Sequence, residues 1–155
     1  MPIAAIALGS NIGDRASHIG AGVDAIARLP RSSVVARSRV HETAPVGPVP
    51  QGAYLNAAVL VETGLGAREL LVAIHEIERS RGRDRPHEVR WGPRTLDLDL
   101  ILYGDAVVDE PGLTVPHPRL AARRFVLDPL AEIAGDVVVP GLGRTVRELR
   151  DACVG

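Results

Sequence analysis

Trp91-Gly92-Pro93-Arg94-Thr95-Leu96-Asp97-Leu98-Asp99-Leu100-Ile101-Leu102-Tyr103 decides the fold, because its second half alternates residue by residue. Successive side chains of a strand point to opposite faces, which puts Leu96, Leu98, Leu100 and Leu102 on one face and Thr95, Asp97, Asp99 and Ile101 on the other. Two carboxylates on one face, two residues apart, have Cα atoms roughly 6–7 Å apart, close enough for both to ligate a bridged pair of hard cations. The leucine face demands a hydrophobic layer against it. The aspartate face reads as an open, rigid platform for metal.

Upstream, residues 3–8 read as a short buried strand, and Gly9-Ser10-Asn11-Ile12-Gly13-Asp14 as a turn into a helix with Asn11 or Asp14 as N-cap. Ile19, Val23 and Ile26 keep helical spacing until Pro30. Ser33 to Val40 reads as a second strand and Tyr54 to Glu62 as a third. Residues 41–52 between them hold three prolines and no periodicity, which predicts a restricted loop suited to presenting backbone groups to a flat ligand. A second helix is predicted over Ala67 to Ser80, with Leu70, Ile74 and Ile77 on its buried stripe and Gly82 beyond its end. From Arg79 to Arg94 the chain carries six arginines, and residues 83–90 are expected to form a mobile basic loop.

Downstream, Ala106-Val107-Val108 reads as a short strand, Pro118 as the first position of a short helix, 125–134 as apolar packing with one proline, and 136–140 as another short strand. Thr145-Val146-Arg147-Glu148 is a capping-box pattern that opens a last helix. The order β-α-β-β-α-β is that of an α+β, ferredoxin-like antiparallel sheet with helices on one face, followed by C-terminal additions.

The 155 residues suit a single domain, 1–155, large enough for a real core. One cysteine, Cys153, excludes an internal disulfide and a multi-thiolate metal site, and with five scattered histidines makes zinc unsuitable. No apolar run reaches the roughly 18 residues of a membrane span. The expected setting is the cytoplasm, with no membrane partner. All eighteen basic residues counted as Lys or Arg are arginine. Without lysine there is no P-loop lysine, no kinase strand lysine and no Schiff base. Phosphate must therefore be held by Arg forks, backbone N–H groups or metal. An RNA-binding module is the alternative from another class. No strand carries the paired exposed aromatics of such a platform, however, and two aspartates repel phosphate unless metal lies between.

The stretch Arg90-Trp91-Gly92-Pro93-Arg94-Thr95-Leu96-Asp97-Leu98-Asp99 resembles the signature of the 6-hydroxymethyl-7,8-dihydropterin pyrophosphokinase family. Ala7-Leu8-Gly9-Ser10-Asn11, Thr43 with Pro45-Val46-Gly47-Pro48, Tyr54-Leu55-Asn56-Ala57-Ala58-Val59 and Leu113-Thr114-Val115-Pro116-His117 extend the likeness over about residues 4–127. It departs from the family pattern at Ala44, Gly112 and Pro118. The resemblance implies transfer of pyrophosphate from ATP to the pterin hydroxymethyl group with release of AMP, in folate biosynthesis. It implies that Asp97 and Asp99 hold two Mg2+ ions, and that Arg83, Arg94, Asp97 and Asp99 are catalytic. Thr43, Pro45, Val46, Gly47 and Asn56 would bind the pterin, with Tyr54 and Phe125 on either side of its ring. Glu78, Arg85, Trp91, Arg94, Leu100, Thr114, His117 and Arg123 would meet ATP. The partners expected are these two small molecules alone, with no nucleic acid, acting on a monomer.

Overall fold

The computed structural model describes residues 1–44, 47–82 and 95–154. The central strand β1 (Ile3–Ser10) is buried from Ala4 onward. Its neighbours are β4 (Tyr54–Thr63) on one side and β5 (Asp97–Tyr103) on the other. β2 (Ser32–Arg37) and β3 (His41–Thr43) share the far edge of β4, pairing with its two ends. The order β2-β4-β1-β5, antiparallel at every pairing, is the predicted ferredoxin-like arrangement. The predicted loop 41–52 thus begins as a strand: Thr43 pairs with Tyr54, and Ser38 bridges the gap by accepting the Ala58 N–H at 2.9 Å.

α1 (Arg15–Ala27) and α2 (Ala67–Ser80) pack on one face. Asp14 caps α1 through the Ser17 N–H, and Ile19, Val23 and Ile26 face inward as their spacing predicts. They join Leu70, Ile74 and Ile77 of α2 against Ile6, Leu8, Val59, Val61, Leu96, Leu98 and Leu100.

Leu102 departs from the predicted leucine face. Ile6 pairs with Leu100 and Ala5 with Leu102, so Ile101 is an extra residue that bulges β5. The bulge turns Leu102 to the opposite side, where Ile101 and Leu102 are both buried.

That opposite face is also less open than the alternation suggests. α3 (Arg124–Ala134) and α4 (Val146–Ala152) cover its Ile101 end, packing Val126, Leu127, Leu130 and Leu149 on Ala5, Ala7, Ala58, Ile101 and Leu102. Segment 125–134 is therefore a helix despite Pro129 in its interior. An interior proline costs about 3 kcal/mol, while burying one Val or Leu side chain gains about 1.5–3 kcal/mol. The buried residues of α3 outweigh the proline. Glu132 fastens α3 to the sheet edge by accepting the Arg39 backbone N–H at 2.9 Å and pairing with His41 Nε2.

The additions are short. β6 (Val108–Glu110) pairs with β7 (Leu113–Val115) around Pro111-Gly112, so the strand expected at 106–108 as a hairpin-like addition lies later, and its partner is 113–115. Gly112 holds φ +77°, the left-handed geometry that a Pro-Gly turn needs at its second central residue. The Val115–Pro116 peptide is cis. The helix predicted after Pro118 is a single 3-10 turn, Leu120–Ala122. β8 (Val138–Val139) pairs with β9 (Arg144–Thr145), and the Thr145–Glu148 capping box opens α4. The basic stretch 83–94 lies outside the described residues.

Ile74 is fully buried where α2 meets the sheet. Ile74→Ala is expected to lower unfolding free energy by about 2–5 kcal/mol. Urea denaturation measures this; a loss below about 1 kcal/mol would place the helix–sheet contact elsewhere.

Candidate functional site

Register sets the site. His41 pairs with Asn56, Asn56 with Gly9, and Gly9 with Asp97, so one row crosses four strands on the face opposite α1 and α2. Ala58, Ala7 and Asp99 form the next row. The small residues Gly9, Ala7 and Ala58 lie between an amide at one side and two carboxylates at the other.

Each flank has its own support. Asn56, buried on β4, donates its Nδ2–H to Thr43 Oγ1 at 2.6 Å, which fixes the amide plane. The Tyr54 ring lies over Gly9: a Cβ on Gly9 would stand 3.4 Å from Tyr54 Cδ1 and 3.3 Å from Asn56 Oδ1. Gly9 has no left-handed φ, so what it supplies is space. Asp97 and Asp99 are half-buried. Arg123, at the start of α3, brings Nη1 to 3.8 Å from Asp99 Oδ2, and its guanidinium stands 5.7 Å from the centroid of the Phe125 ring. Phe125 is itself partly buried beside the α3 core.

Glu78 reaches the other edge of β5. It is 1 % exposed, and its carboxylate accepts the Leu98 N–H at 2.7 Å, between the two aspartates. This bond occupies a backbone donor of an edge strand and holds the strand against α2.

His117 is drawn to β5 by its backbone N–H, which donates to Ile101 O at 2.9 Å. Its Nδ1 accepts the Arg119 N–H at 3.1 Å, so the neutral ring carries its proton on Nε2. Burial, reinforced by the guanidinium groups of Arg123 and Arg119, holds the imidazole down from the usual 6.5 to about 4, with Asp97 pulling the other way.

The chemistry of the donors fits a hard divalent cation. Among the described residues no three His, Cys, Asp or Glu side chains gather as a cage. Two carboxylates suit Mg2+, which keeps waters and takes substrate oxygens for the rest of its shell.

A face with acid on one side and an amide with an aromatic ring on the other fits an anionic group joined to a flat polar one. The family model for 7,8-dihydro-6-hydroxymethylpterin-pyrophosphokinase matches residues 5–135. The chain belongs to this family. A 2-amino-4-hydroxy-6-hydroxymethyldihydropteridine pyrophosphokinase of Pseudomonas aeruginosa is 44% identical over 148 residues, covering 96% of this chain and 90% of that protein. One of Bacillus subtilis is 47% identical over 135 residues, covering 87% and 80%. In shape, the chain resembles a crystal structure of Plasmodium falciparum HPPK-DHPS with a TM-score of 0.74 at 15% identity; it covers 97% of this chain but only 44% of that one.

Against the pyrophosphokinase expectations, the structure gathers Thr43, Tyr54, Asn56, Asp97, Asp99, Phe125, Arg123 and His117 around one face. Leu100 points its side chain into the helix-side core, which leaves its main chain on β5 for any ligand. Thr114 is exposed on β7 and donates to Asp109 Oδ1 at 3.4 Å. Glu78 is buried against the Leu98 backbone. Gly47 is exposed with φ +97°. Pro45, Val46, Arg83, Arg85, Trp91 and Arg94 lie outside the described residues. Sequence reasoning left Gly9 out of the site. A glycine inside a strand pattern is the signal that could have found it.

The unfolded chain takes up the His117 proton near pH 6.5, and the folded chain only near 4. Between those values the unfolded state binds more protons, so stability falls as the pH drops through the window. Urea midpoints of metal-free His117→Gln, followed from pH 7 to 4, are expected to decline less steeply than those of the wild type. Parallel curves would assign the acid sensitivity to other groups.

Proposed function

We propose that this protein transfers the pyrophosphoryl group of ATP to the hydroxymethyl group of 6-hydroxymethyl-7,8-dihydropterin and releases AMP, a step of folate biosynthesis. The observation that carries the reading is the row Asn56–Gly9–Asp97, in a chain that the pyrophosphokinase model matches from residue 5 to 135. Groups suited to a pterin on one side of Gly9 and groups suited to phosphates on the other support this reading.

The pterin is flat with polar edges. Tyr54 and Phe125 offer it aromatic faces, and the Asn56 amide, held by Thr43, offers hydrogen bonds to its edge. Gly9, having no side chain, lets the Tyr54 ring and the Asn56 amide settle close to the sheet. Asp97 and Asp99 would hold Mg2+, two ions in this reading, which when bound neutralises phosphate charge and draws donor and acceptor oxygens together. Arg123 adds a fixed positive charge at the same edge, and the neutral His117 points an Nε2–H donor rather than a second charge. Arg83, Arg85, Trp91 and Arg94 complete the nucleotide contacts in this reading, together with Thr114 and the Leu100 main chain. Transfer between phosphate and an alcohol depends mostly on positioning and charge neutralisation, so no side-chain base is required. Glu78 acts behind Asp97 and Asp99, by holding the strand that bears them. The protein works as a cytoplasmic monomer on these two small molecules.

Incubation with ATP, Mg2+ and the hydroxymethyl pterin should form AMP only when pterin is present; ADP or free phosphate would indicate a hydrolase instead. Asp97→Asn and Asp99→Asn should each lower kcat/KM by about 100-fold or more, with circular dichroism unchanged, and EDTA should abolish turnover. Full activity in both variants would remove the metal assignment. Gly9→Ala should raise the pterin KM about three- to tenfold by crowding Asn56 and Tyr54; an unchanged KM would mean that the ring binds elsewhere.

A further inference from the structure

Arg15 is the first residue of α1, a position where the helix dipole disfavours a cation, and helix formation gives no reason for an arginine there. Its contacts do. Nη1 donates to the Ala53 carbonyl at 2.9 Å, and Nη2 lies 3.1 Å from Glu42 Oε2. Ala53 immediately precedes Tyr54, and Glu42 immediately precedes Thr43. These two successors pair with each other as the last rung of the β3–β4 ladder. Side chains alternate along a strand, so Glu42 faces the helix side while Thr43 and Tyr54 face the cleft.

The rung needs such a fastening. The chain between Thr43 and Tyr54 is ten residues long with prolines at 45, 48 and 50, and among the described residues no rung follows the pair. End rungs open most readily, and their opening would release Thr43 from Asn56 and swing the Tyr54 ring away from Gly9. A guanidinium fork can hold two acceptors at once in fixed geometry; a lysine ammonium, a point charge on a flexible stem, cannot. Asn11 adds to the same flank by donating to Gly52 O at 3.1 Å.

We propose that Arg15 is a positioning residue for the pterin end of the site: from the far side of the sheet, one guanidinium clamps Ala53 and Glu42 and so sets the Thr43–Tyr54 pair that meets the substrate. The proposal rests on the pyrophosphokinase reading of that face. Arg15 touches neither substrate.

Steady-state kinetics of Arg15→Ala, Arg15→Lys and Glu42→Gln, with pterin and ATP varied separately, test it. Arg15→Ala should raise the pterin KM about five- to twenty-fold while the ATP KM stays within about twofold. Arg15→Lys should give an intermediate rise, and Glu42→Gln a smaller one because the bond to Ala53 O remains. The melting temperature of each variant should shift by only a few degrees. AMP formation by the wild type together with an unchanged pterin KM in Arg15→Ala would overturn the clamp. A parallel rise of both KM values with a large fall in melting temperature would overturn it too, by making Arg15 a general fold residue. If the wild type forms no AMP from pterin and ATP, the reading of the site fails, and the clamp with it.

Discussion

The register of β1 between β4 and β5 is the constraint on which the molecule depends. β1 is paired along both edges, and its side chains divide strictly: Ala4, Ile6 and Leu8 go to the α1–α2 layer, Ala5, Ala7 and Gly9 to the other. A slip of one residue would reverse every side chain and send leucines to the cleft. The alignment that buries the core therefore also sets Asn56, Gly9 and Asp97 in line. Packing and site geometry are one decision.

Around this row, charge is arranged from the edges inward. Two carboxylates on neighbouring positions of a face repel each other, and the structure sets Arg123 at their side and His117 close by. With His117 neutral, the positive charge that the described side chains bring to this edge comes from arginine, which remains charged at every relevant pH. β5 is itself an edge strand, and the Glu78–Leu98 bond secures it at the residue between the aspartates. The opposite end of the cleft is held by Thr43 on Asn56 and, behind the sheet, by Arg15 on Ala53 and Glu42.

Much of this was legible in the residues. The alternation of Leu96, Asp97, Leu98, Asp99 and Leu100 reports a strand with two faces, and the spacing of Leu70, Ile74 and Ile77 reports a helix, because both periods are local properties of the backbone. Leu102 escaped, since a bulge at Ile101 arises from pairing with β1, which no local pattern records. α3 escaped because Pro129 argues against a helix by about 3 kcal/mol, and only the apolar surface of Ala5, Ala7, Ala58, Ile101 and Leu102 outweighs it. β3 was hidden among prolines, its partner eleven or more residues away.

The sequence by itself determined the β-α-β-β-α-β order of the main elements, the pair of aspartates, the absence of lysine and the family to which these motifs point. Each depends on residue type and near spacing. Tertiary structure alone decided that α3 and α4 close half of the second face and leave the aspartates at its open end, that Gly9 lies beneath Tyr54, that Glu78 is a buried strand anchor, and that Arg15 reaches through to Ala53 and Glu42. All four depend on distances between segments far apart in the chain, which are fixed only once β1 has selected its register.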